Sequence, residues 1–458
     1  MKGGLLLFLK RKLAEQTIIL ISISKWILLA AVVGAMIGIS TTLFLKLLNW
    51  SIAFAGQYRY FFLLMPVAFH VSVLMIKYLA PQAEGHGTEK IIDAVHRHSG
   101  KIRLAVVPVK LVTTVITIAL GGSAGKEGPA AQIGAALASG FSDLLKFDDS
   151  DRKKLVICGI SAGFGAVFGT PISGAVFGIE VLFAGFMMYD VLLPSFIAAI
   201  TASVAASALG MVYFYNPFGD VPAFSLFFFL KLIAAGVLFG VVSMLLIEMM
   251  DICHKLAGKL RPLLRPLVGG VLLIGLTFLF SRDYLGLGVS TIESTLTGVQ
   301  IVWYAFLLKI VFTAVTLGFG GSGGIITPIF FIGAVSGSAI GRLFGVDTSV
   351  FAAIGLVSLL AGCANTPISA IIMSIELFGP QLAPYAAVAC IISFLMTGHR
   401  SVYPSQILSI RKSASIHVDL GKNIADSIAF AQPRQKSLSS YLIKAVRACG
   451  ESLRRRKR

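Results

Sequence analysis

The chain contains two copies of one sequence pattern, and this repeat constrains the fold more than any other feature. The first copy reads KLVTTVITIALGGSAG from Lys110, and the second reads KIVFTAVTLGFGGSGG from Lys309, 199 residues further on. A second block, Thr-Pro-Ile-Ser followed by Ile-Glu, begins at Thr170 and again at Thr366. A weaker third match lies upstream of each copy. Three blocks in one order at nearly one separation predict two homologous halves.

Composition places these halves in a membrane. Hydrophobic residues make up 56% of the chain and charged residues only 13%, where soluble domains carry about 25% charged residues. A soluble enzyme, a disordered chain and a secreted disulfide scaffold are therefore excluded. Apolar stretches of roughly 20 residues without period-two alternation predict an all-α polytopic membrane protein rather than a β-barrel.

Charge and hydropathy divide the chain into five segments. We expect a cytoplasmic N-terminal segment over 1–25, a first membrane repeat over 26–215, a linker over 216–225, a second repeat over 226–411 and a basic cytoplasmic tail over 412–458. The net charge is +18, and most of the excess lies in loops and at the two ends. Basic flanks stay in the cytoplasm, so both termini are predicted there. Anionic lipid satisfies this charge, and since no nucleic-acid module accompanies it, no nucleic-acid partner is expected.

The sequence carries no recognisable metal, cofactor or catalytic motif. The five cysteines are scattered without a CxxC pair, and the seven histidines form no HExxH group, so we expect no metal and no cofactor. GGSAGK is not a phosphate loop, because Leu120 stands where that motif needs glycine and Glu127 where it needs Ser or Thr. A membrane enzyme would need a catalytic constellation, and none is evident, so we predict no enzymatic activity.

Glycine-rich sequences interrupt corresponding apolar segments of the two halves. Halves that each cross the membrane an odd number of times insert in opposite orientations, which gives the inverted repeat of many transporters and channels. Broken backbone at membrane depth survives where it lines protein or an aqueous cavity. We predict helix starts after such breaks near 85–88, 125–129 and 324–328. Their unpaired N–H groups and positive dipole ends favour a small anion near the bilayer centre.

Glu127 lies in the second break, at the start of the following helix. An acid inside a membrane is costly and is by default functional. Its carboxylate would occupy the anion position, and protonation would free that position. The alternative is that Glu127 only caps backbone N–H groups. For Glu180 and Glu376, which are repeat mates, structural hydrogen bonding explains the sequence as well as any functional role does.

These motifs resemble those of the CLC family of chloride channels and chloride/proton antiporters. GKEGP at 125–129 fits the family's G(K/R)EGP motif, and GIITP at 324–328 fits its GxFxP motif except that Ile326 replaces Phe. Tyr403, in SVYPS, resembles a tyrosine near the end of the family's membrane domain. The resemblance covers about 26–411. It implies a CLC-type inverted repeat of about eighteen helices, with broken helices, and a homodimer with one pore per subunit.

The resemblance also implies roles for single residues. Glu127 falls on the external gate, and Tyr403 falls on the hydroxyl that closes the inner side, although an interfacial aromatic anchor is an alternative for Tyr403. The implied anion-binding set is His86, Gly125, Lys126, Glu127, Gly128, Gly324, Ile325, Ile326 and Tyr403.

Two positions depart from the family pattern. His86 replaces a serine that contacts the anion; its ring would donate a hydrogen bond to the anion or turn away and cap its helix. Val181 stands where many of the antiporters carry an internal proton-loading glutamate. Its neighbour Glu180 is not a substitute, since adjacent helical side chains point about 100° apart.

From these residues we predict transport of chloride or a similar small anion through a pore gated by Glu127. Because Val181 cannot carry a proton, passive conduction is slightly favoured over chloride/proton antiport. The expected partners are the anion, possible coupled protons, membrane lipid and a second copy of the chain. An organic-anion carrier is less well supported, because no compelling intramembrane arginine is present to clamp a carboxylate. The tail is too short for paired nucleotide-binding modules.

Overall fold

The computed structural model describes residues 2–218, 221–427 and 430–431, with side chains described over 11–218 and 221–427. Within these residues the chain forms sixteen α-helices, against the roughly eighteen that the family resemblance implies. Most of the predicted basic tail, with its terminal arginines and Cys449, lies outside the described residues.

The first eight helices belong to the first half of the repeat. They are α1 (Lys2–Gly56), α2 (Met65–Leu79), α3 (Thr88–Arg97), α4 (Val106–Ala119), α5 (Glu127–Leu144), α6 (Asp149–Phe168), α7 (Pro171–Glu180) and α8 (Leu192–Ala208). α1 continues unbroken through residue 25, so the expected boundary of the N-terminal segment falls inside a helix.

The other eight helices repeat this order in the second half. They are α9 (Leu226–Gly258), α10 (Arg265–Leu279), α11 (Val289–Leu296), α12 (Ala305–Gly318), α13 (Ile326–Phe344), α14 (Thr348–Ala364), α15 (Pro367–Phe378) and α16 (Ala383–Met396). Each helix from α2 to α7 starts 196 to 201 residues before its counterpart. The sequence repeat is therefore also a structural repeat.

Pairs of reciprocal hydrogen bonds join the two halves. Gly125 N–H donates to the Gly324 carbonyl at 2.7 Å, and Gly324 N–H donates back to Gly125 at 2.6 Å. Two Ser–Thr hydrogen bonds are matched in the same way. Ser123 N–H donates to the Thr316 hydroxyl at 3.0 Å, and Ser322 N–H donates to the Thr117 hydroxyl at 3.1 Å. Such matched exchanges are the contacts that a local two-fold axis between homologous halves produces.

Long apolar helices pack against one another through small residues. Among the described residues, α1, α9, α13 and the segments Phe61–Leu79 and Tyr189–Ala208, the second of which contains α8, are long and apolar enough to cross a membrane. α5 packs on α6, and α13 packs on α14. Gly159 and Gly163 of α6 permit the first contact, because an added Cβ on either would lie 2.8 Å from a Cα of α5. Close helix packing therefore explains these glycines.

The segment after α16 folds back onto the first half. β2 (Ile407–Leu408) pairs in parallel with β1 (Phe183–Ala184), directly after α7. Gln406 Nε2 donates to the carbonyls of Val181 and Ala364, both at 2.8 Å. β3 (Ile416–His417) and β4 (Phe430–Ala431) then form a short antiparallel pair. This arrangement fixes Tyr403 between the ends of the two halves.

Candidate functional site

Three helix N-termini converge where the sequence predicts helix starts. α3 begins at Thr88, α5 at Glu127 and α13 at Ile326. Glycine permits the convergence: a Cβ on Gly87 would overlap the carbonyl of Gly128, and Gly87 has a φ of +87°, which other residues rarely adopt. Because Gly125 and Gly324 exchange hydrogen bonds, the starts of α5 and α13 meet backbone to backbone.

The Glu127 carboxylate occupies this point of convergence. The side chain is 0% exposed, and it crosses from the first half to the second. Its Oε2 accepts the Thr327 N–H at 3.2 Å, and its Oε1 accepts the Thr327 hydroxyl. A helix N-terminus is a ready-made anion site. Glu127 therefore caps α13, as the capping interpretation expects, and its carboxylate lies at a helix end suited to an anion.

Thr327 is a site residue that sequence analysis missed. In the glycine break of the second half, the sequence analysis chose Ile325 and Ile326 as anion ligands. Their side chains are buried in the core. They hold the N-cap and first positions of α13, where backbone N–H groups have no intrahelical partner. The N–H that contacts Glu127 belongs to the next residue, Thr327. The available signal was a hydroxyl in an otherwise apolar GIITP motif.

His86 and Tyr403 lie together on another side of the site. Their rings are 5.5 Å apart. Tyr403 is 1% exposed, so the interfacial-anchor alternative is wrong. His86 is buried and its Nδ1 has no hydrogen-bond partner, so that nitrogen does not cap α3. Tyr403 is close enough to Glu127 for that carboxylate to act on it electrostatically.

Lys126 contributes charge rather than a cap. It holds the N-cap position of α5 without a side-chain capping bond. Its half-buried side chain interacts electrostatically with Glu127 and with Glu293 of α11. Gly125 and Gly128 on either side leave room for the neighbouring groups, because a Cβ on Gly125 would overlap Glu127 Oε2.

Two buried lysines support the glycine loops, and sequence analysis also missed them. Lys110 Nζ donates to the carbonyls of Ala83 at 3.1 Å and Gly85 at 2.5 Å. Its repeat mate Lys309 donates to Tyr284 at 3.1 Å and Gly286 at 2.9 Å. Both side chains are 0% exposed. The signal was present, since these lysines open the two matching blocks inside apolar sequence.

Val181 and its neighbour have structural positions. Val181 is fully buried at the C-cap of α7, and its carbonyl accepts the Gln406 amide. Glu180 lies in α7 and caps the N-terminus of α15, and Glu376 lies in α15 and caps the N-terminus of α7. Glu180 accepts N–H groups of Ile368 at 3.1 Å and Ser369 at 2.8 Å, and Glu376 accepts those of Ile172 at 2.9 Å and Ser173 at 2.7 Å. Structural hydrogen bonding therefore accounts for both glutamates.

A cavity of about 1080 Å³ opens beside His86. It lies between α2, α3, α9, α10 and the segment that follows α16, and its lining is rich in charged and titratable groups. Among them are Glu84, His86, Glu89, Glu248, His254 and Arg400.

Comparison with known sequences identifies the family. The family model described as voltage gated chloride channel matches residues 67–398. A chloride/fluoride channel protein of Pseudomonas syringae pv. tomato is 38% identical over 404 residues, which are 86% of this chain and 88% of that protein. The voltage-gated ClC-type chloride channel ClcB of Escherichia coli O9:H4 is 31% identical over 341 residues, covering 70% of this chain and 80% of that protein.

Solved structures agree with the fold. A CLC-type fluoride/proton antiporter superposes with a TM-score of 0.81 at 29% identity, covering 84% of this chain and 98% of the other. A slow cyanobacterial Cl⁻/H⁺ antiporter superposes with a TM-score of 0.72 at 20% identity, covering 81% and 94%, which supports the fold alone. The chain therefore belongs to the voltage-gated chloride channel, or CLC, family of integral membrane proteins that transport anions.

Proposed function

We propose that the protein exchanges a small halide for protons, with Glu127 as the gate that carries the proton. The observation that carries this proposal is the Glu127 carboxylate held by Thr327 at the N-terminus of α13. An anion can bind at this helix end only after the carboxylate leaves it. Protonation removes the negative charge that competes with the anion, so anion and proton occupancy become linked at one residue.

Two sets of observations help to choose between anion/proton exchange and passive conduction. The fluoride/proton antiporter, at 29% identity and a TM-score of 0.81, supports exchange. The sequence slightly favours passive conduction instead, because Val181 is not protonatable. Passive conduction is therefore the second candidate, and the two sequence relatives are both named as channels.

Fluoride and chloride are the proposed anions, with fluoride ranked first. Fluoride is in the names of both the Pseudomonas relative and the superposed antiporter. Fluoride loses a strong hydration shell on entry, so it needs close hydrogen-bond donors. The proposed donors and lining groups are the backbone or side chains of His86, Gly125, Lys126, Gly128, Gly324, Ile325, Ile326, Thr327 and Tyr403.

Topology and assembly complete the proposal. We propose a homodimer with one pathway per subunit, with both termini in the cytoplasm. Basic flanking residues support the orientation. The proposed repeat boundaries of 26–215 and 226–411 enclose helices α2–α8 and α9–α16.

The test is the reversal potential of the wild-type protein in planar bilayers or liposomes, under a proton gradient with symmetric anion. Exchange predicts a shift that grows with the proton gradient, because each turnover moves both ions. A passive pore gives no shift, since protons do not enter its stoichiometry. Parallel recordings with fluoride and with chloride rank the anions, and protein-free membranes provide the control.

A further inference from the structure

One acid beside the cavity that contains His86 in its lining has an oxygen without a hydrogen-bond partner. Glu89 is the second residue of α3, and its side chain is half-buried. Its Oε1 accepts the Ser405 N–H at 3.0 Å and the Ser405 hydroxyl. Its Oε2 is buried and has no hydrogen-bond partner. The carboxyl group is thus held in place by one oxygen while the other is free to carry a proton.

Glu89 lies between the cavity and the gate region. It lines the cavity of about 1080 Å³ together with His86. Ser405, which holds its carboxylate, is two residues after Tyr403. Tyr403 is close enough to both Glu89 and Glu127 for each carboxylate to act on it electrostatically. Tyr403 is therefore within electrostatic reach of both carboxylates, and of these two acids Glu89 is the one that lines the cavity.

The other acids that line this cavity are engaged in ion pairs. Glu84 lies 3.5 Å from Lys90, Glu248 lies 2.7 Å from Arg400, and Asp251 contacts Lys255. α3 is a short polar helix and is not among the apolar helices that could span a membrane. Burial raises the pKa of the Glu89 carboxyl to about 7, so this group takes up and releases protons near neutral pH.

We propose that Glu89 is the residue that loads protons from this cavity for delivery to Glu127, replacing the acid that is missing at Val181. This inference rests on the proposed exchange of anion for protons. Glu89 serves as a relay because it touches the cavity on one side and the Tyr403 region on the other.

The proposed proton transfer needs no reactant other than water and its hydronium ion. The Glu89 carboxylate takes one proton from a hydronium ion of the cavity, which leaves a water molecule, and the proton is then held on Oε2. The resulting carboxylic acid passes the same proton, through water beside Tyr403, to the carboxylate of Glu127 when that side chain turns inward. Glu89 returns to the carboxylate, and one proton has moved from the cavity to the gate.

The experiment compares Glu89→Gln with Glu84→Gln in proteoliposomes, recording anion efflux and proton uptake together. Gln keeps the shape of Glu and an oxygen that accepts from Ser405, but it does not titrate at these pH values. We expect proton uptake by Glu89→Gln to fall about tenfold or more, with anion efflux retained. Glu84→Gln, which changes an acid of the same cavity, should keep the wild-type ratio of protons to anions.

Two further variants separate proton transfer from folding. Glu89→Asp keeps a titratable group and should retain measurable proton uptake. Glu89→Met, of similar length, is the second non-titratable variant should Glu89→Gln fail to fold. A folded Glu89→Gln or Glu89→Met protein with the wild-type ratio of protons to anions overturns the role of Glu89. Absence of proton uptake in the wild type instead overturns the proposed exchange itself.

Discussion

The N-termini of α5 and α13 have similar backbone structure, but they carry different side chains. Both follow a glycine break, and both have proline at the third helical position, where no N–H is needed. Glu127 opens α5, whereas its repeat mate Ile326 opens α13. The first half supplies the acid, and the second half supplies the helix end and the Thr327 donors that hold it.

This difference explains how a nearly symmetric fold makes one asymmetric contact, which supports the proposed gate. Two identical halves would place the same group on both sides of the local axis. If both carried an acid, two like charges would meet in one buried site, which is strongly unfavourable. If both carried isoleucine, no group would link the anion to the proton. One substitution within the repeat is sufficient for the linkage.

The largest expected effect comes from removing the asymmetry with Glu127→Gln. The neutral side chain cannot carry a proton at these pH values and competes less with the anion. Coupled proton flux should fall about 100-fold or more, while anion flux is retained or increased and loses its pH dependence. Simultaneous anion and proton recording from proteoliposomes measures both.

Glu293→Gln is the matched control for that change, because Glu293 is an exposed acid that interacts with Lys126 outside the gate contact. It should behave as the wild type does. If a folded Glu127→Gln protein kept both its coupling and its pH dependence, the gate would have to lie at another residue.

The buried lysines sharpen the comparison of the halves. Lys110→Met and Lys309→Met each leave two carbonyls without their ammonium donor, at a cost of about 1–3 kcal/mol for each buried group left unsatisfied. Both variants should therefore lower the thermal unfolding midpoint in detergent by similar amounts. Only Lys110→Met should also weaken anion binding, since Lys110 holds the loop that contains His86.

Anion titration of the two lysine variants, by calorimetry or by flux, provides the second readout. Equal losses of anion affinity in Lys110→Met and Lys309→Met would contradict a functional difference between the two loops. Lys110→Arg, which keeps the charge, separates loss of charge from loss of packing.

A smaller effect is expected from Thr327→Val. Valine keeps the shape of threonine and the backbone N–H, but it removes the hydroxyl that donates to Glu127 Oε1. A hydrogen bond to a charged group contributes about 1.5–3 kcal/mol, so the carboxylate should be held less firmly. Apparent anion affinity should rise by about tenfold.

The matched variant for this position is Thr327→Ser, which keeps the hydroxyl and should leave anion affinity near the wild-type value. Unchanged affinity in Thr327→Val, measured in the same flux assay, would indicate that the backbone N–H alone holds the gate.

The sequence predicted the helix starts and singled out the acid at one of them because these signals are local. Glycine breaks, prolines in the first helical turn and a lone acid can be recognised within a few residues of one another. The helix starts predicted near 85–88, 125–129 and 324–328 are all present, and the structure brings them together. Thr327, Lys110 and Glu89 were missed because what distinguishes each is a contact with a residue distant in sequence.

The sequence by itself determined a membrane protein of two homologous halves, the places where its helices break, and the acid at one break. Composition and repetition are sufficient for these conclusions, because they depend on transfer to lipid and on local backbone preference. Only the tertiary structure decided which group holds that acid. Glu127 and Thr327 are 200 residues apart, and their contact exists because two-fold packing of the halves brings the ends of α5 and α13 together.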